Sequence, residues 1–278
     1  VDDIDMGITH VIRGDDLIDS THRVLALRRA LGNSEQPFYA HTPMILATDK
    51  SKLSKRHGAV SLESYKDLGY LPAAMVNYLA LLGWAPGDDR EIVSLKEMVD
   101  EFDVENVNHS GAIFDIKKLE WMNGEYIRKT NLEELIATVE PSAKFKYGEN
   151  IDSELLNTGV GLAQTRATTL TQIIDQLEPL LEPIFSLSDE TKQSIRDTEN
   201  AKVILEAIRE HLENCEWNLE SVDLRGVVND LGLKPRKALP IVYLAIENSK
   251  SGLPLFDVIF KLGRNIVVNR ISEALAAL

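Results

Sequence analysis

Met6-Gly7-Ile8-Thr9-His10-Val11-Ile12, continued by Arg13-Gly14-Asp15-Asp16, is the stretch from which the architecture of the first part of the chain can be worked out. Its β-branched residues predict a buried strand over 6–12 that runs into a polar, glycine-containing turn. Downstream, Ser20 or Thr21 can cap a helix carrying Val24, Leu27 and Leu31 on one face, with Gly32 closing it. Residues 38–47 predict a second strand, whose later half Pro43 weakens or confines to an edge. Strand, helix, strand in this order is a parallel crossover unit, the building block of a doubly wound sheet. Two strands are too few for a whole sheet, so further strands are expected upstream of Val1, a first residue that is not Met.

Ligands of open α/β sheets bind beyond the carboxyl ends of the strands, which draws attention to Arg13. Its guanidinium can fork onto a ligand carboxylate, or pair with Asp15 or Asp16 for structure alone. After the second strand comes Lys52-Leu53-Ser54-Lys55-Arg56, then His57-Gly58, which sets two ammonium groups three residues apart in a polar segment. Lysine is a compact charge on a flexible stem that can be brought to phosphate oxygens and withdrawn again. Lysines in polar loops are usually just solvated surface, and it is the neighbouring segments that raise the interest of these two.

From residue 61 the pattern turns helical. Residues 61–68 predict a short helix ended by Gly69; Pro72 suits a first turn, and 73–82 continue to a stop at Gly83. Ser94 with Glu97 forms a capping box. Asp115 can cap a helix over 116–124, and Asn131 with Glu134 opens another, expected to stop before Pro141. Residues 147–152 read as a polar connection. Beyond them the apolar residues keep three-and-four spacing: Leu170, Ile173, Ile174, Leu177; then Val203, Leu205, Ile208, Leu212; later Leu239, Val242, Ile246, and finally Ile259, Leu262, Ile266. Strand-like alternation is nearly absent after about residue 95, so the second half is predicted to be all-α.

The formal net charge of −14 weighs against nucleic-acid binding by the surface as a whole, because phosphate contacts need positive charge, although net charge says little of local patches. Basic residues gather at Lys234-Pro235-Arg236-Lys237 and at Lys261, Arg264 and Arg270; Lys261 and Arg264 are one turn apart and could share a face. None of the six histidines stands with another His or an acidic partner at metal-ligand spacing, and His41 reads as packing at a strand. The single Cys215 excludes an internal disulfide and a cysteine-rich zinc site; on a helix beside Trp217 it is expected to be a small core hydrophobe. No uncharged apolar run approaches the ~20 residues that cross a bilayer, and with no secretory signal a cytoplasmic location is expected.

Together these segments closely resemble glutamyl-tRNA synthetase of the bacterial type, a class I aminoacyl-tRNA synthetase. The resemblance rests on His10-Val11-Ile12-Arg13-Gly14-Asp15-Asp16, on 52–56 as that family's form of the "KMSKS" signature, and on Gly69-Tyr70-Leu71-Pro72 through Asn77-Tyr78-Leu79-Ala80-Leu81-Leu82-Gly83-Trp84. Phe114-Asp115, Leu119-Glu120-Trp121-Met122-Asn123-Gly124 and Tyr126-Ile127-Arg128 extend it, and Leu262-Gly263-Arg264 matches near the end. It implies a mostly α fold: a C-terminal remnant of a Rossmann α/β catalytic domain over 1–60, a stem-contact domain over 61–128, and an all-α anticodon-binding cage over 129–278, divided near 188 if it forms two subdomains. The family's "HIGH" signature has no equivalent here, which implies the C-terminal portion of a synthetase that alone does not catalyse.

The implied reaction is that of a glutamate–tRNA ligase: ATP-dependent activation of glutamate to glutamyl adenylate, then transfer to the 3′ end of tRNA(Glu). Carried onto this sequence, Lys52 and Lys55 are the catalytic and ATP-binding pair, with Leu53 and Ser54 beside ATP, Asp16 close to ATP and the tRNA terminus, and Arg13 on the glutamate α-carboxylate. In this family an arginine in the first cage subdomain bears on whether tRNA(Gln) is also charged, and Gln164-Thr165-Arg166 holds a candidate. Arg166, Lys234, Arg236, Lys237, Lys261 and Arg264 are the candidate tRNA contacts. The expected partners are tRNA(Glu), L-glutamate and ATP, with Mg²⁺ carried by ATP and not by a protein cage; a monomer away from any membrane is expected. The alternative is a non-catalytic tRNA-binding module derived from the synthetase. A glutaminyl enzyme, with its β-barrel anticodon domain, is disfavoured by the all-α second half, and the shorter tRNA-modifying paralogue by residues 130–278.

Overall fold

The structure is a computed structural model of the 278-residue chain and describes residues 1–54, 61–108, 110–182 and 184–278. It divides into two compact units, 1–126 and 127–278.

In the first unit α1 (Asp2–Asp5) precedes β1 (His10–Gly14); a 3₁₀ turn over Asp15–Ser20 leads into α2 (Thr21–Ala30), followed by β2 (Phe38–Thr42) and β3 (Ile45–Leu46). β1 and β2 pair in parallel, with Arg13 opposite His41 and Gly14 opposite Thr42, so the expected crossover unit forms. The strand starts at His10 and not at Met6, because Gly7, at φ 66°, turns the chain between α1 and the strand. Ser20 makes no side-chain cap; its hydroxyl donates to Leu17 O at 2.7 Å, within the 3₁₀ turn that feeds the helix. Leu27 and Leu31, predicted for a buried face, are exposed, since two strands cannot cover a helix of this length. Pro43, with no N–H to give a ladder, splits the second strand into β2 and β3.

The lysine segment begins as a return along β3. Lys52 bridges Leu46 in antiparallel fashion, Leu53 N donates to Ile45 O at 3.1 Å, and Ala47 N donates to Ser51 O at 2.8 Å. After it come α3 (Leu62–Asp67), α4 (Pro72–Gly83), α5 (Leu95–Glu101), β4 (Ala112–Ile113) and α6 (Ile116–Lys129). Ser61 accepts from Ser64 N, both halves of the Ser94–Glu97 box are made, and Asp115 Oδ1 accepts from Lys117 N at 2.9 Å. β4, parallel to β3, has no counterpart in the sequence reading, because two residues carry no alternation. α6 runs past Gly124 to Lys129, with Leu119, Met122, Asn123 and Ile127 all fully buried along it. The core gathers Tyr65, Tyr70, Met75, Tyr78, Leu119 and Met122. Polar latches tie it together: Tyr78 Oη accepts from Asp115 N at 2.6 Å and donates to Asp115 O at 2.9 Å, while Asn123 Oδ1 accepts from Leu71 N at 2.8 Å. Burial pushes the Tyr78 hydroxyl up to about 12.

The second unit is helical throughout its described residues: α7 (Leu132–Tyr147), α8 (Ser153–Gln164), α9 (Leu170–Gln176), α10 (Glu178–Leu181), α11 (Asp189–Arg196), α12 (Ala201–Asn214), α13 (Arg225–Asp230), α14 (Pro235–Glu247), α15 (Leu255–Leu262) and α16 (Arg264–Ala276). α7 does not stop before Pro141. Leu135, Val139, Ala143 and Tyr147 bury one continuous stripe across the proline, which outweighs the one backbone bond it removes. Leu262 and Ile266 do not share a helix either: Gly263, at φ 79°, ends α15, and α16 starts at once. Cys215 lies just past α12 and is half-buried, so it is a helix-end residue and not a helical core position. No described helix is long and apolar enough to cross a membrane.

Candidate active site

β1 delivers Arg13 to a place where several groups hold one edge of its guanidinium. The parallel register sets His41 opposite, and Arg13 Nε donates to His41 Nε2 at 3.3 Å. Nη2 donates to Leu17 O at 3.0 Å and to Thr21 Oγ1 at 2.5 Å, and the Tyr39 ring centroid lies 5.2 Å from the guanidinium carbon. These partners are not Asp15 or Asp16, so the purely structural pairing weighed from the sequence does not occur. Nη1 makes no hydrogen bond among the described residues. With Nε and both N–H groups of Nη2 engaged, the two N–H groups of Nη1 are what the guanidinium keeps for a carboxylate oxygen.

Asp16, in the following 3₁₀ turn, reaches Lys52: Nζ donates to Oδ2 at 3.0 Å. The structure thus brings together two residues chosen separately from the sequence. Both side chains are exposed, so the pair is screened by water and weak enough to yield to a more highly charged partner. Leu53, half-buried, is fixed by its backbone bond to Ile45, and Ser54 follows it. Lys55, Arg56, His57 and Gly58 lie outside the described residues. Among the described residues, no three of His, Cys, Asp and Glu gather in a way that could hold a metal ion.

The basic candidates of the second unit divide into two kinds. Arg166 Nη1 donates to Gly252 O at 3.0 Å, and Lys261 pairs with Glu154 at 3.1 Å. Arg264 donates to Glu213 O and Cys215 O and lies over the Trp217 ring, clasping the end of α12; the face it was expected to share with Lys261 is broken at Gly263. Arg270, counted from the sequence as surface charge, is buried and donates to Ile246 O and Pro179 O. Lys234, Arg236 and Lys237 are different: they stand exposed, Lys234 as the residue before α14 and the other two on its first turn, and join no ion pair among the described residues. Cations at the positive end of a helix dipole gain nothing from it, so they remain available to an external anion.

The holders of Arg13, namely His41, Thr21 and Tyr39, had no signal in the sequence. Their role depends on which residue of β2 stands opposite β1, a non-local fact that spacing does not carry.

Residues 1–121 match the family described as tRNA synthetases class I (E and Q), catalytic domain, and residues 124–275 match the anticodon binding domain family. Similar proteins include a glutamate–tRNA ligase 1 from Caldanaerobacter subterraneus subsp. tengcongensis, 37% identical over 280 residues, and a glutamate–tRNA ligase from Thermobifida fusca, 40% identical over 287. These matches cover 99% and 100% of this chain but 58% and 60% of those proteins, so the chain spans a little under two thirds of the length of the relatives it matches. Among solved structures, that of a glutamate tRNA ligase from Elizabethkingia meningosepticum in complex with its amino acid is similar at a TM-score of 0.76 and 27% identity, covering 99% of this chain and 58% of that one. One match ends at 121 and the other begins at 124: the chain joins class I tRNA synthetase (E and Q) catalytic-domain sequence to an anticodon binding domain, and by the second match, which takes in more than half of its residues, it belongs to the anticodon binding domain family.

Proposed function

We propose that these residues serve a glutamate–tRNA ligase that esterifies glutamate to the 3′ end of tRNA(Glu), working in the cytoplasm as a monomer. In the first step a glutamate α-carboxylate oxygen attacks the α-phosphorus of ATP, and pyrophosphate leaves. In the second, a hydroxyl of the terminal tRNA ribose attacks the acyl carbon of glutamyl adenylate, loses its proton, and AMP leaves. The observation that carries this reading is the Asp16–Lys52 pair at the carboxyl end of a parallel strand pair, beside an Arg13 held by one edge, in a chain whose matched relatives are glutamate–tRNA ligases.

In this reading Nη1 of Arg13 receives the glutamate α-carboxylate. Lys52 and Lys55 oppose the charge that builds on the phosphates as pyrophosphate departs, an electrostatic service that needs fixed positions more than covalent chemistry. The backbone at Leu53 and Ser54 borders ATP, Asp16 faces ATP and the tRNA terminus, and Mg²⁺ enters on the phosphate oxygens of ATP. Residues 1–60 complete the catalytic domain, 61–128 contact the tRNA stem, and 129–278 meet the anticodon region through Arg166, Lys234, Arg236, Lys237 and Lys261.

Pyrophosphate exchange by the complete ligase, with glutamate, ATP and tRNA(Glu) present, tests this. Lys55→Ala is expected to cost at least ~10²-fold, the usual loss for one transition-state electrostatic contact. An unchanged rate would make the lysine segment merely structural. A second reading, a non-catalytic tRNA-binding module, draws on the match of residues 124–275 to an anticodon binding domain. That reading expects this chain to bind tRNA and to exchange no pyrophosphate even when the relatives' remaining residues are supplied.

A further inference from the structure

Gly14 closes β1 at φ −64° and ψ 149°, an extended backbone that any residue adopts. Glycine is therefore not required there for conformational freedom. What its missing side chain supplies is room for a neighbour. A Cβ on Gly14 would lie 2.7 Å from Asp16 Oδ1 and 3.8 Å from Asp16 Cγ; apart from its chain neighbours it would meet no other described atom within 4 Å. The first distance is shorter than real Cβ contacts allow, so a side chain at position 14 displaces one group, the Asp16 carboxylate. That carboxylate holds Lys52 Nζ through its other oxygen, at 3.0 Å.

We propose that Gly14 is a positioning residue, whose missing side chain lets Asp16 fold back over the strand end and clasp Lys52 until a polyphosphate takes the lysine over. The clasp is a property of the chain itself; only the handover to phosphate rests on the ligase reading. Asp16 and the phosphates then compete for the same ammonium, which stops Lys52 from wandering without holding it irreversibly.

Limiting acetylation of the full chain, with Lys52 labelling read by peptide mass spectrometry against exposed Lys50, tests the clasp. Asp16→Ala should raise Lys52 labelling about twofold to fivefold, the range an exposed pair supports. Gly14→Ala should raise it as much, and the double variant should label no more than Asp16→Ala alone, because both changes act through one carboxylate. If Gly14→Ala proves poorly folded, adding Asp16→Ala should restore folding by removing the obstructing atoms. Unchanged labelling in either single variant overturns the proposal, as does a double variant as damaged as Gly14→Ala. In the complete ligase, freeing Lys52 should lower KM for ATP about twofold to fivefold while kcat falls. Raised labelling with an unmoved KM keeps the clasp and overturns the phosphate role of Lys52 instead.

Discussion

Arg13 shows how one residue can be both structural and available. Its Nε and Nη2 are used by His41, Leu17 and Thr21, while Nη1 makes no hydrogen bond among the described residues. Lysine has a single ammonium and cannot keep these holders and a carboxylate at once. Arg13→Lys should therefore lower kcat/KM for glutamate by roughly 10- to 100-fold, as the loss of charge-assisted hydrogen bonds implies, and leave KM for ATP nearly unmoved. Exchange kinetics with each substrate varied in turn would show the split; equal losses for both would mean that the strand end had collapsed. Glu247 poses a different problem, in the second unit. It is buried, its Oε2 accepts from Leu253 N at 3.1 Å, and burial pushes its carboxyl up to about 8 against the pull of Leu253 N, Arg166 and Arg270. A carboxyl raised in the folded state binds its proton more tightly there than when unfolded. Its stabilising contribution is thus complete below the unfolded value of 4.5 and is lost as pH rises towards about 8, at up to about 1.4 kcal/mol per pH unit. Glu247→Gln removes the titration. Urea unfolding at pH 5 and pH 8 should show the variant gaining on the unsubstituted chain as pH rises, and a constant difference would mean that Glu247 is ionised throughout.

Two glycines on α8 behave oppositely although they face the same propensity rule. A Cβ on Gly159 would run into Leu177 Cδ2 and Leu180 Cδ1, whereas one on Gly161 would touch Leu132 at an ordinary 3.6 Å. Alanine is the better helix former by up to about 1 kcal/mol, so Gly161→Ala should stabilise by roughly 0.5–1 kcal/mol. At Gly159 overpacking costs about 1–3 kcal/mol and outweighs that gain, so Gly159→Ala should destabilise. Thermal unfolding of both variants checks the signs; a shift in the same direction would refute the close approach at Gly159. Most of this element-level detail was legible wherever the cause is local. Ser61, Ser94, Asp115 and Asn131 each accept an N–H two or three residues ahead, Glu97 accepts one from Ser94 behind it, and a helix start can be read from them. The Gly263 break was not legible, because the apolar spacing of Leu262 and Ile266 runs through it unaltered. Nor was the continuation of α7 across Pro141, which depends on partners supplied by α8 and α9. In the site, Arg13, Asp16 and Lys52 could each be nominated from a strand end, a turn and a recognisable segment. Their joining could not be read, since Asp16 and Lys52 are 36 residues apart and meet only through the β1–β2 register.

At the scale of the whole molecule the charge is decidedly negative, −14, in a chain whose residues 124–275 match an anticodon binding domain. A polyanion approaching such a surface is repelled at distances up to the Debye length, about 10 Å at 0.1 M salt, and is held only where cations are concentrated and not already neutralised. The structure sorts the cations by that criterion. Lys261 is paired with Glu154, and Arg264 is consumed by carbonyls and Trp217, whereas Lys234, Arg236 and Lys237 join no ion pair among the described residues. If these three meet tRNA phosphates, each contributes about 0.7–0.9 to the slope of log affinity against log salt concentration. The triple change Lys234→Ala, Arg236→Ala, Lys237→Ala should then flatten that slope by about 2–3 for the complete ligase binding tRNA(Glu). Lys261→Ala should flatten it by less than about 1, because an acidic neighbour is set free at the same time. Arg264→Ala should lower the unfolding midpoint and leave the slope alone. A triple variant with an unaltered slope would exclude the start of α14 from the tRNA interface and move the phosphate contacts to another face of the second unit.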